Sequence, residues 1–186
     1  MRILTILCCF FTQMIFASFD MNRNVQESYS YILNLEFEKA NILLENEFLE
    51  NPDNGFIPLY KNYIDFLTII ITEESNYFNS CHHMKKNRLR LLEKNDQQSP
   101  YYLYSQAEIN LQWAFAHLKF KRYPTAIYEL IKSYNLLEKN QKKFPNFNLN
   151  NKCLGLIHAI LGAVPDQFQW LVNAAGLKGS VNLGLS

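Results

Sequence analysis

From about Val25 to Lys142 the apolar residues recur every three or four positions, as one face of an α-helix requires, and they nowhere alternate as a half-buried strand would. Tyr29, Ile32, Leu33 and Leu35 predict a first helix. Ala40, Leu43, Leu44 and Phe48 predict one face of a second. Asn51-Pro52-Asp53-Asn54-Gly55 should end that second helix, since Pro cannot continue a helix and Gly accepts a left-handed backbone. Pro58 suits the first turn of a third helix, which runs to Ile71 and is apolar on more than one side. Thr72-Glu73-Glu74-Ser75 opens a fourth, to about Lys94, with an acidic start and basic body that complement the helix dipole.

Ser99-Pro100 is a start signal, with Ser as cap and Pro at the first helical position. It predicts a fifth helix from about Tyr101 to Lys121. A sixth follows from Tyr123 to about Lys142, with Pro124 harmless in its first turn. Phe144-Pro145 and the run from Asn146 to Asn151 read as a loop. Leu154 to Leu161 read as a short buried helix stopped by Gly162, and Pro165-Asp166 as the start of a last helix ended by Gly176. The expectation is an all-α fold of about seven to eight helices over residues 22–176. Residues 177–186 form a tail, or the start of a continuation.

The first 18 residues stand apart. Met1-Arg2 is basic, Ile3 to Phe16 is almost wholly apolar, and Ala17 and Ser18 are small. This is the layout of a secretory signal peptide cleaved after Ala17 or Ser18. An uncleaved anchor and a buried N-terminal helix are the alternatives. The leader implies export and, once removed, a chain with no membrane span.

One phrase recurs. Phe37-Glu38-Lys39-Ala40 is followed twelve residues after the Ala by Pro52. Trp113-Ala114 leads to Tyr123-Pro124-Thr125-Ala126, with no Pro at the matching distance; Pro145 comes later. An aromatic three residues before a small Ala lets two helices cross closely, which suits stacked helix-turn-helix units. Ala40 and Ala126 are 86 residues apart, so an evenly spaced middle unit would put the repeat near 43 residues. These residues resemble the tetratricopeptide repeat family. There a tight aromatic-x-x-Ala turn joins two helices and an Asn-Pro phrase ends the second. The stretch from Leu154 to Asp166 also resembles exported tetratricopeptide-type proteins of Bacteroidetes-like bacteria. The resemblance implies a stack of antiparallel helix hairpins. Phe37, Ala40, Pro52, Trp113, Ala114, Tyr123 and Ala126 would be its packing positions. It further implies a non-catalytic scaffold of the periplasm or outer membrane that binds a peptide or protein on a concave face. The chain could also be a module of a longer protein.

Composition narrows the partners more than it names them. A net charge of +1 and a pI near 7.6 give no electrostatic case for nucleic acid. Lys85, Lys86, Arg88 and Arg90 read as a solvated helix face. Cys81-His82-His83-Met84 offers soft ligands, but only Cys81 and Met84 share a helical face and no second ligand cluster exists, so no metal is assigned. No cofactor motif is present. His117 and His158 read as core histidines, and Glu108 as a solvated acid on an apolar helix. Cys81 and Cys153 read as separate thiols, although an oxidising compartment would allow a pair. Tyr101, Tyr104 and Gln112 are the candidates for partner contact, expected to be partly exposed. A glycan- or small-molecule-binding helical module, using aromatic stacking, is the alternative function.

Overall fold

The structure, a computed structural model, describes residues 19–162 and 164–174. The expected leader (1–18), the helix end at Gly176 and the tail (177–186) lie outside the described residues. The fold is all-α. In chain order come α1 (Arg23–Leu33), α2 (Phe37–Glu50), α3 (Phe56–Thr72), α4 (Ser75–Leu92), α5 (Pro100–Lys119), α6 (Tyr123–Lys143), α7 (Leu149–Gly162) and α8 (Gln169–Ala174). No strand occurs among the described residues. No helix among them is long and apolar enough to cross a membrane.

The closest pairings are α5 with α6 and α1 with α2; α1, α3, α5 and α7 also touch in succession, α3 meeting α5 more than it meets α4, and α8 packs on α6. The turns inside the hairpins explain the recurring phrase. After α1, Leu35 takes a left-handed conformation (φ 61°). There Leu35 N–H donates to Ile32 O at 3.0 Å and Glu36 N–H to Tyr31 O at 2.9 Å. After α5, Lys121 (φ 56°) does the same. Its N–H donates to Leu118 O at 2.9 Å, and Arg122 N–H to His117 O at 2.8 Å. This paired pattern is the Schellman motif, which satisfies the last carbonyls of a helix. Five residues after each left-handed residue stands a fully buried alanine, Ala40 or Ala126, where the two helices approach.

The α3–α4 turn keeps the left-handed residue but not the paired bonds: Glu73 N–H donates to Ile69 O at 3.0 Å. Glu73 is left-handed (φ 56°). The position five residues on is Phe78, fully buried. The three units therefore fall 38 and 48 residues apart rather than evenly. Phe78 reaches across to α5, stacking on Phe120 at 4.5 Å and meeting Trp113 at 5.7 Å. The displaced second Pro has a simple cause. Asn51 and Phe144 end α2 and α6 with matching backbone angles (φ −136°, ψ 71° and φ −132°, ψ 72°), and each precedes a Pro. At 21 residues against 14, α6 is longer by two helical turns, so Pro145 does the work of Pro52 on an extended helix.

Two core clusters meet at α5. One gathers side chains of α1 to α4 with Ile109, Trp113 and Ala116; the other gathers α6, α7 and α8 with Tyr104, Ala107, Leu111 and Ala114. Helix α5 is thus buried on both sides. Trp113 and Ala114 are buried, Phe37 lies half-buried against the first cluster, and Tyr123 stacks on Phe168 at 5.1 Å.

Several local expectations are corrected. The inward face of α2 is Ala40, Leu44 and Glu47, while Phe48 is 50% exposed. Glu47 is tolerated because Asn22, Asn51 and Asn54 each donate an amide N–H to it, at 2.7, 3.1 and 2.7 Å. The Asn run before α7 is helical from Leu149. Its buried Asn150 accepts from Asn140 Nδ2 at 3.0 Å, a bond that a loop reading could not foresee. The basic cluster is not a solvated face. Lys85 and Arg88 share the inward side of α4 with Phe78, Cys81 and Leu92, and they pair with Glu129 of α6 and Asp65 of α3. Lys86 and Arg90 alone face solvent.

Candidate functional site

The four odd-numbered helices converge on a cavity of about 340 Å³. Its walls carry Tyr29 from α1, Phe56, Tyr60 and Tyr63 from α3, and Tyr101 and Tyr104 from α5. Lys152 of α7 and Gln26 of α1 stand at the rim, both exposed. The spacing on α3 is the sequence signal behind this wall: residues 56, 59, 60 and 63 fall on one helical face.

The rings brace one another. Tyr29 stacks on Tyr60 at 5.2 Å, and Tyr63 stands nearly perpendicular to both at 6.2 and 6.3 Å. Phe56 meets Tyr101 edge-on at 5.0 Å, and Phe147 meets Tyr101 and Tyr104 at 5.0 and 5.4 Å. Perpendicular aromatic pairs add about 0.5–1.5 kcal/mol each beyond area burial, so the cavity is largely preformed. The segment before α1 borders it. Met21 lines the cavity, and the Phe19 ring lies against Phe56 at 5.4 Å and Tyr101 at 5.8 Å.

Beneath the tyrosines sits Glu108, half-buried rather than solvated as its sequence context suggested. The Tyr63 hydroxyl donates to its Oε1 at 2.5 Å, and the Cys153 thiol to its Oε2 at 2.8 Å. Burial first, and the Glu108 charge second, push the Tyr63 hydroxyl and the Cys153 thiol far above their ordinary pKa values. Tyr104 is raised by the same two causes in the same order. Cys153 is therefore a protonated donor at neutral pH and not a nucleophile, since only the thiolate attacks. Both Cys153 and Cys81 are buried and free.

The predicted contact residues divide. Tyr101 and Tyr104 line the cavity, Tyr101 half-buried and Tyr104 only 6% exposed. Gln112 does not reach it. At 3% exposure it lies inside the protein, because α5 is covered on both flanks, and its Oε1 accepts from Asn62 Nδ2 at 2.5 Å. Asn62 Oδ1 in turn accepts from Arg88 at 3.0 Å and from the Trp113 indole at 3.1 Å, so Gln112 belongs to a structural network joining α3, α4 and α5. His117 is buried as expected, with neither ring nitrogen hydrogen-bonded. Tyr29, Tyr60 and Tyr63 were missed as site residues, because only the tertiary fold brings α1 and α3 beside α5. Among the described residues no group of three or more His, Cys, Asp or Glu side chains is placed to hold a metal ion.

No family model, no curated protein and no solved structure matches the chain.

Proposed function

We propose that this chain is a non-catalytic scaffold of stacked helix hairpins, resembling a tetratricopeptide array, that binds a segment of a protein partner across its odd-helix face. The observation that carries this reading is the preformed, tyrosine-walled cavity to which each successive hairpin contributes a helix. Tyrosine gives large contact area at low entropic cost and a hydroxyl for register, which suits peptide recognition. The left-handed residue common to the three hairpin turns and the succession of odd-helix contacts support the stacked array. The leader-like pattern of residues 1–18 supports a place in the cell envelope, in the periplasm or at the outer membrane. No enzyme role is proposed.

A second reading has one observation in its favour: the Tyr29 and Tyr101 hydroxyls make no hydrogen bond among the described residues and would suit a stacked sugar. The two readings separate experimentally. Crosslinking in the exporting cell should recover one partner protein, and the purified chain should show no melting shift with oligosaccharides. A shift with an oligosaccharide and no protein adduct would replace the first reading with the second.

A further inference from the structure

The cavity's chemistry is more specific than apolar area alone. A tyrosine ring presents a negative face, and that face attracts a cation held within about 6 Å of its centre. Donating the Tyr63 O–H to a carboxylate pushes electron density into the phenol, which strengthens the effect. Here the acceptor is Glu108, half-buried directly behind Tyr63 and Tyr104. The carboxylate has no cationic partner among the described residues; its two partners are the neutral Tyr63 hydroxyl and Cys153 thiol. Tyr29 and Tyr60 on one side, Tyr63 at right angles to them, and Tyr101 from α5 set walls in several directions.

We propose that this cavity is an aromatic cage for an organic cation, a quaternary ammonium group. This rests on the reading of the odd-helix face as the binding face and specifies what the cavity takes there. Glu108 supplies the counter-charge through the rings, and no covalent step is involved. Lys152 opposes the ligand from the rim. It is exposed, so water screens it, and it sets a ceiling on affinity that its removal would lift.

The test uses the full chain and two probes of one shape: choline, and its neutral isostere in which carbon replaces the ammonium nitrogen. Binding is read by calorimetry and by quenching of tyrosine fluorescence. Choline should bind saturably and about tenfold tighter than the isostere, as a desolvated cation–π contact implies. Lys152→Gln, at an exposed position that cannot threaten folding, should tighten choline binding and leave the isostere unchanged. Glu108→Gln should weaken choline selectively, with circular dichroism confirming an intact fold. Equal binding of the two probes, or no saturable choline binding, overturns the cage. Neither result touches the protein-binding reading, which fails separately if no adduct forms on the odd-helix face.

Discussion

Gly55 opens α3 beside the Phe19 ring, and replacing it with alanine tests how tightly that ring is packed. Its backbone is helical (φ −62°, ψ −17°), so alanine incurs no backbone strain there. By the unfolded-state argument alone, Gly55→Ala would stabilise by about 0.4–1 kcal/mol. The space around it predicts the opposite. A Cβ at Gly55 would stand 2.4 and 2.7 Å from two carbons of the Phe19 ring and 2.7 Å from Asn95 Oδ1. The ring is also packed against Phe56 and Tyr101, at 5.4 and 5.8 Å, so moving it disturbs those contacts. Overpacking of this kind costs about 1–3 kcal/mol. The net expectation is a loss of about 1–2 kcal/mol, which for a chain of this length lowers the melting temperature by roughly 2–8 °C. Urea and thermal unfolding followed by circular dichroism would measure it. A double-mutant cycle with Phe19→Ala isolates the cause: in the Phe19→Ala background the cost should shrink by about 1 kcal/mol, since two of the three close contacts are gone. A neutral or stabilising Gly55→Ala, or a cost unchanged by Phe19→Ala, would refute the packing argument.

The remaining predictions concern the buried polar groups. Glu129→Gln strands the Lys85 ammonium between α4 and α6 and should destabilise by about 3–5 kcal/mol, while Lys85→Met with Glu129→Leu together should recover most of that loss in urea unfolding. Burial, then His82, Lys85 and Arg122, lowers the His117 pKa from 6.5 to about 4. Between those values the unfolded chain binds a proton that the folded chain excludes, so stability contributed by neutral His117 falls as pH drops through that window. His117→Phe removes the titration, and its urea midpoint should fall less than that of the parent between about pH 7 and pH 5; equal falls would contradict the assignment.

Much of the fold is legible in the sequence because helix boundaries here are local chemistry. Pro52 and Ser99-Pro100 mark ends and starts that need no tertiary information. The middle hairpin hides because Phe78 takes the place that alanine holds elsewhere, and the turn is recognisable only from its left-handed Glu73. Pro145 fails a search at twelve residues because α6 gains two turns, an insertion that preserves the helical face and leaves no local mark. The site is less legible than the fold. Glu108 looks solvated until α3 and α7 bring Tyr63 and Cys153 to it. A signal for the buried cations did exist: Lys85 and Arg88 continue the apolar line of Phe78, Cys81 and Leu92, whereas Lys86 and Arg90 lie off it. Gln112 misleads for the converse reason, since a polar residue on a helix covered from both flanks has no outward face to occupy.

The most direct test of the account is site-specific photo-crosslinking in the cell that makes the protein. A benzophenone side chain in place of Gln26, exposed at the cavity rim on α1, samples the odd-helix face; the same group in place of Tyr128, 55% exposed on α6, samples a surface away from it. The account predicts one discrete protein adduct from position 26, lost when Tyr60→Leu strips the cavity wall, and none from position 128. The same adduct from both positions, or one from position 128 alone, would contradict a partner-binding odd-helix face.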